Sequence, residues 1–397
     1  MKKWRSWFGG SARNNAPRLP VDLADAGLWA DPAPVWAWLR DHQPLAETAS
    51  GGYVLTRHAD ILDAFTNPAL GNQPSRFSVL AARNRDKSTA AALTAHIPPF
   101  QDKPEHVPTR QAVSAAFHQV FRDAADWVPN LAQDRVAALR GQSFDLVRDL
   151  AQPFACSVMA RFVGLPDDRQ AIKHATQGFF HLFAPITDRA QFDATNAALD
   201  QARSFLSATP PPPGSLLAAL TESGLPPQAA LDNALLVLAD GVENIEAGIA
   251  TALDLTLTHA GDIPPDTPID AITEEALRLA TPGQIIPRVT RAPVRLHGID
   301  LGEGVPVFLA LGSANLDPAA HPEADRFKPG RSGETLLMFG RGRHRCIGAQ
   351  LGVLQISSML GALRTAGAVR TNAAPLVCQA RFGHRWPVAM QVALPRQ

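Results

Sequence analysis

The chain has 397 residues, with 37 Lys and Arg against 37 Asp and Glu, so its formal net charge is zero. That balance gives no support for nucleic acid as a partner, and an apolar share of 46% is ordinary for a globular protein. Three cysteines, Cys156, Cys346 and Cys378, leave no framework of disulfide bridges and fit a reducing compartment.

The first eight residues (MKKWRSWF) are basic and aromatic but lack the apolar stretch of a signal peptide. With the turn-rich residues that follow, 1–20 read as a flexible or surface-wrapping tail. No run is long and apolar enough to span a bilayer. Nothing in the composition marks a second domain, so one large domain over 1–397 is expected.

Asp31–Arg40 has a capping residue, early prolines and apolar spacing, which predicts a helix start. Gly51–Arg57 reads as the second strand of a hairpin, and residues 57–65 return to helix. Residues 71–100 have no clean period and carry Arg76, Arg83, Arg85, Lys87 and His96; such a stretch is a functional loop or disorder. A helix opens at Pro104, with Pro108 tolerable only in its first turn. His106 and Arg110, four apart, share one face of it. Residues 153–166 are apolar at helical spacing and take Cys156 into the core. Helical patterns fill 172–208, with Phe179, Phe180, Phe183 and Phe192 along them.

Leu231–Ala250 is a long helical run, apolar on most sides until Asp240. Acids in the middle of such a run are costly unless they face water or do chemistry. The prolines of residues 258–268 argue against helix there. Residues 272–279 form a short helix with Glu275 and Arg278 on one face. An ordinary pair at that spacing contributes about 0.2–0.5 kcal/mol. Residues 282–291 are extended, Val305–Leu311 is a strand, and Phe382–Val388 reads as a closing hairpin.

Between these lies the most informative stretch, Phe339–Gly348 (FGRGRHRCIG). It is a glycine-rich turn, then a cysteine, then helical spacing of Ile347, Leu351 and Leu354. Cys346 thus sits at a helix start, where unpaired N–H groups, the helix dipole, Arg341, Arg343, His344 and Arg345 all favour a thiolate with a lowered pKa. No nearby cysteine completes a zinc or iron–sulfur set, which suits a cofactor that supplies its remaining ligands itself.

Phe-Gly-x-Gly-x-His-x-Cys-x-Gly, as it stands from Phe339 to Gly348, resembles the haem-binding loop of bacterial cytochrome P450 enzymes. The resemblance implies a mainly α fold with small β-sheets and haem b between the long central helix and the cysteine-loop helix. Cys346 is then the axial iron ligand and His344 a donor to a haem propionate. Phe339 packs near the sulfur, and Gly340, Gly342 and Gly348 let backbone approach the porphyrin. His106, Arg110 and Arg288 carry over as further propionate donors, and Glu275 with Arg278 as a buried structural pair. The same resemblance makes residues 71–100 a lid and gives Gln284, Ile285, Ile286 and Phe382 to the substrate pocket.

On the central helix the family pattern is a small residue, Gly, any residue, an acid and Thr, lying over the haem. Asp240, Gly241, Val242, Glu243 and Asn244 align to it; Gly241 and Glu243 match, while Asp240 and Asn244 depart. Cleaving bound dioxygen needs protons, and Asn positions water but has no hydroxyl proton to relay. The expectation is water held by Asn244, with Glu243 or Asp240 as the acid.

The activity implied is insertion of one atom of O2 into a small organic substrate, by hydroxylation or O-dealkylation. NAD(P)H electrons would arrive through a separate ferredoxin or flavodoxin on the positive face of Arg341, Arg343 and Arg345. The departures leave room for oxidative coupling or peroxide-driven oxidation on the same fold, and a haem-binding protein without turnover is the third reading. The family also implies a cytoplasmic monomer.

Overall fold

The structure, a computed structural model, describes residues 19–396 apart from 185, 187, 332–335 and 373. The basic, aromatic start of the chain lies outside the described residues.

Two helices of 32 residues, His106–Ala137 and Pro227–Thr258, set the frame. The second is buried along most of its length and is apolar nearly all round, so neighbours cover it on several sides. They include the helices Gln152–Val163, Arg169–Phe179, Ile269–Ala280 and Ala349–Thr365. Glycine stands where two of these approach most closely. A Cβ on Gly241 would lie 2.5 Å from Met159 Sδ, and one on Gly248 would run into Ile356 of the cysteine-loop helix.

The sheets are small. The largest has five strands in the order Leu45–Glu47, Tyr53–Leu55, Pro306–Ala310, Ile285–Thr290 and Leu70–Gly71. Strand alternation sends Ile285 into a cluster with Trp29 and Trp36, and Ile286 to the opposite cluster with Leu309. Register sets Arg288 opposite Val307. The closing hairpin pairs Cys378–Arg381 with His384–Pro387 around Gly383, whose φ is 70°.

Residues 71–100 are not wholly irregular. They contain the helix Thr89–His96, capped by the Ser88 side chain, which accepts from Ala91 N–H. Its consecutive alanines favour helix while giving no legible period. Ala90 N–H donates to Asn196 and Thr89 to Asp200, both on the helix Arg189–Ser207. His96 Nδ1 lies 2.6 Å from Asp232, which also accepts two bonds of 2.8 Å from Arg203. One carboxylate of the central helix thus joins the helices Thr89–His96 and Arg189–Ser207.

Glu275 and Arg278 are 2% and 0% exposed and meet as a fork at 2.8 Å on both arms. The remaining donors of Arg278 reach the carbonyls of Asn315, Ala324 and Arg326. Glu275 in turn accepts from Lys328 N–H and Arg331. The pair therefore ties the helix Ile269–Ala280 to the segment leading into the cysteine loop.

Candidate active site

Gly340 and Gly342, with φ of 64° and 67°, take the left-handed backbone that other residues resist. The turn they make brings Cys346 N–H back to Phe339 O at 2.8 Å, and Phe339 packs against the main core. Gly348 caps the helix Ala349–Thr365 and gives its N–H to the Cys346 thiol. The cysteine has open surface although it lies deep in the protein, so its open side faces interior space. The lowered thiol pKa expected from the helix start is reversed. Burial first, and then the charge of Asp240, push Cys346 up to about 11, beyond what Gly348 N–H, Arg110 and Arg345 offset. The donors are local to the turn, whereas the depth of the loop is set by the whole fold.

Beside the thiol is a set of donors with nothing to donate to. Nε2 of His106 and Nε2 of His344 are buried without a hydrogen-bond partner, and the two rings sit 4.2 Å apart. Burial, then the charges of His106, Arg288 and Arg343, push His344 down to about 3. Arg288 is pushed down to about 10, mainly by burial. Arg110 reaches the Arg345 carbonyl at 2.5 Å. Asp102 is the acid these groups feel, and it is already held by the N–H groups of Asn72 and Gln73 and by Arg291. Orphaned donors that depress one another fit an anion among them. The two propionates of haem b would meet that demand, and the Cys346 sulfur is a donor suited to its iron.

Across from the loop, Asp240 is the acid whose charge reaches Cys346. Burial pushes its carboxyl up to about 7. Asn244, one turn on, accepts from Trp386 Nε1 at 3.2 Å through its carbonyl oxygen, which leaves its NH2 group to donate. Glu243 turns to the helix Arg169–Phe179, where Lys173 Nζ stands 2.6 Å away and Thr176 donates at 2.7 Å. Glu246 shares the same lysine at 2.9 Å, and burial pushes it up to about 7. Gly241, expected beside the cofactor, faces Met159.

Of the four residues expected to line the pocket, three lie elsewhere. Gln284 is buried, with its oxygen near Trp36 Nε1 and its NH2 on the carbonyls of Ala280 and Thr281. Ile285 and Phe382 pack with the Trp29 cluster. Ile286 is half-buried on the other face of its strand. The turn at Gly383 takes Phe382 out of line and brings His384 and Trp386 together against Phe180 instead. Arg381 stacks over Phe180 and Trp386 and feels the charge of Glu243. Sequence reading missed these; the one signal available was the alternation that sets residues 384 and 386 on one face.

The family model described as Cytochrome P450 matches residues 267–363. Cytochrome P450 BJ-3 of Bradyrhizobium diazoefficiens is 28% identical over 383 residues, covering 86% of this chain and 88% of that protein. The vitamin D(3) 25-hydroxylase of Pseudonocardia autotrophica is 28% identical, with 86% and 88% covered. The crystal structure of the myxobacterial cytochrome P450 CYP267B1 with myristic acid superposes with a TM-score of 0.82 at 24% identity, covering 94% of this chain and 99% of that one. No helix among the described residues is long and apolar enough to cross a membrane. Motif and fold agree with these matches: the family model and the curated relatives this chain resembles are bacterial cytochrome P450 enzymes.

Proposed function

We propose that this chain, as one domain, inserts an atom of O2 into a small organic substrate by hydroxylation or O-dealkylation, and that Cys346 is the residue that would hold its haem iron. Haem b is the family's cofactor and supplies dioxygen binding and activation, with NAD(P)H as the indirect electron source. The observation that carries the reading is the convergence of the orphaned His106 and His344 nitrogens with Arg110 and Arg288 beside that thiol. These four groups hold the propionates, and Phe339, Gly340 and Gly348 shape the loop beneath the ring. Burial holds the unliganded Cys346 thiol up, and a bound metal would supply the charge that favours its thiolate.

Protons reach the distal side from the buried acids. Lys173 stands between Glu243 and Glu246, so one cation serves two carboxylates. The second carboxylate keeps a proton, which is the state burial imposes on Glu246. Glu243 passes that proton toward water held by the free NH2 group of Asn244, whose carbonyl Trp386 fixes.

Electrons come from a separate ferredoxin or flavodoxin. Support for that surface is the exposed Arg343 and Arg345 with the half-buried Arg341, and a groove of about 530 Å³ bordered by His118, Arg122 and Gln350 at the start of the cysteine-loop helix. Oxidative coupling or peroxide-driven oxidation is the second reading, favoured by the carboxyl that Asp240 puts in the place of a small residue.

Reduction under carbon monoxide tests the ligation. The wild type should give a thiolate-type carbonyl band, and Cys346→Ala should lose it. A variant that keeps the band sinks the assignment. Turnover with a surrogate ferredoxin, set against peroxide alone, separates the two readings.

A further inference from the structure

The central helix Pro227–Thr258 carries five acids: Asp232, Asp240, Glu243, Glu246 and Asp254. Four are matched by cations from other elements. Arg203 holds Asp232, Lys173 holds Glu243 and Glu246, and Arg370 holds Asp254. Asp240 has no such partner among the described residues: no arginine, lysine or histidine pairs with it and no group donates to its carboxyl. It is also the one of the five that keeps open surface, the other four being buried.

That pattern separates Asp240 from ordinary buried charge. A carboxylate taken out of water is tolerated when a cation meets it, and removal of the cation is strongly unfavourable. Here the fold supplies the cation at four positions and omits it at the one that looks toward Cys346. Asn244, on the same face one turn later, offers NH2 donors but no charge. Phe180, His384 and Trp386 form an aromatic wall beside Asn244; Arg381, which stacks over Phe180 and Trp386, answers to Glu243, and burial pushes His384 down to about 4, so its imidazole is neutral near pH 7.

We propose that the missing cation belongs to the substrate: Asp240 is the anchor for a basic nitrogen, and the substrates of this enzyme are amines carried as ammonium ions. The proposal rests on the haem-thiolate reading above and deepens it. The carboxylate takes the ammonium head, the aromatic wall of Phe180 and Trp386 suits the carbon skeleton, and proton delivery stays with Glu243. No covalent step is involved; recognition is an ion pair in a place shielded from water, where such pairs count most.

The test isolates charge from shape. Quaternary ammonium compounds, phenylalkyl trimethylammonium ions of graded chain length, are compared with neutral isosteres in which carbon replaces nitrogen. Such a nitrogen has no lone pair and is unable to ligate iron. Binding to the ferric holoenzyme is read by the spin-state change and independently by calorimetry. At least one cation should bind about tenfold tighter than its isostere, or better, and Asp240→Asn should erase the difference while leaving isostere affinity alone. A series in which no cation outbinds its isostere overturns the inference, as does a preference that survives Asp240→Asn. If the holoprotein lacks the thiolate carbonyl band, the underlying reading falls first, and that failure is recognisable before any ligand is added.

Discussion

Two regions of this protein hold charge inside the fold and treat it in opposite ways. Around Arg278 every guanidinium donor has an acceptor and both oxygens of Glu275 are occupied, so the group is closed on itself. On the middle of the central helix the accounts stay open: one lysine stands between two carboxylates, and Asp240 has no cation at all. Closed sets fix a shape, since any movement leaves a buried ion bare. Open sets hold protons or ligands, since something else must complete them.

The contrast is broken most severely at the closed end. Arg278→Ala leaves Glu275 buried without its fork and should destabilise the holoprotein by about 3–5 kcal/mol, measured as a lowered denaturation midpoint with loss of haem. A shift within experimental scatter would show that the set is not what holds the loop segment. Asn244→Ala, at the open end, should barely move the midpoint and instead divert reductant to peroxide. The check is product formed per NAD(P)H consumed, and unchanged coupling would remove Asn244 from proton delivery.

The smallest effect expected is a pH dependence at Glu246. Its pKa in the fold is raised, from 4.5 to about 7, so the fold favours the protonated form. That contribution is complete below the unfolded value and fades as pH rises toward 7. Wild-type protein should therefore lose thermal stability relative to Glu246→Gln between about pH 4.5 and 7, a trend read from midpoints of both proteins across that window. Parallel curves would mean that Glu246 holds no proton.

The cysteine loop was legible because its chemistry constrains residue types at fixed offsets: glycines where φ is positive, a histidine and a cysteine on one turn. The long helices were legible from apolar spacing, although the central one runs from Pro227 to Thr258, past both ends of the predicted 231–250. What stayed hidden depends on partners far along the chain. Trp386 meets Asn244 from 142 positions away and Lys173 meets Glu243 from 70, and no local pattern announces either. The rise of the Cys346 pKa was hidden for the same reason, because burial is a sum over the whole fold. Phe382 was misplaced by a single feature, the turn at Gly383.

Asp232 has a mechanical consequence. Arg203 forks onto both of its oxygens and His96 meets Oδ2 of the same carboxylate, so the helices Thr89–His96 and Arg189–Ser207 are both pinned to the central helix at one acid. Loss of that acid strands a largely buried arginine, so one substitution loosens both segments at once.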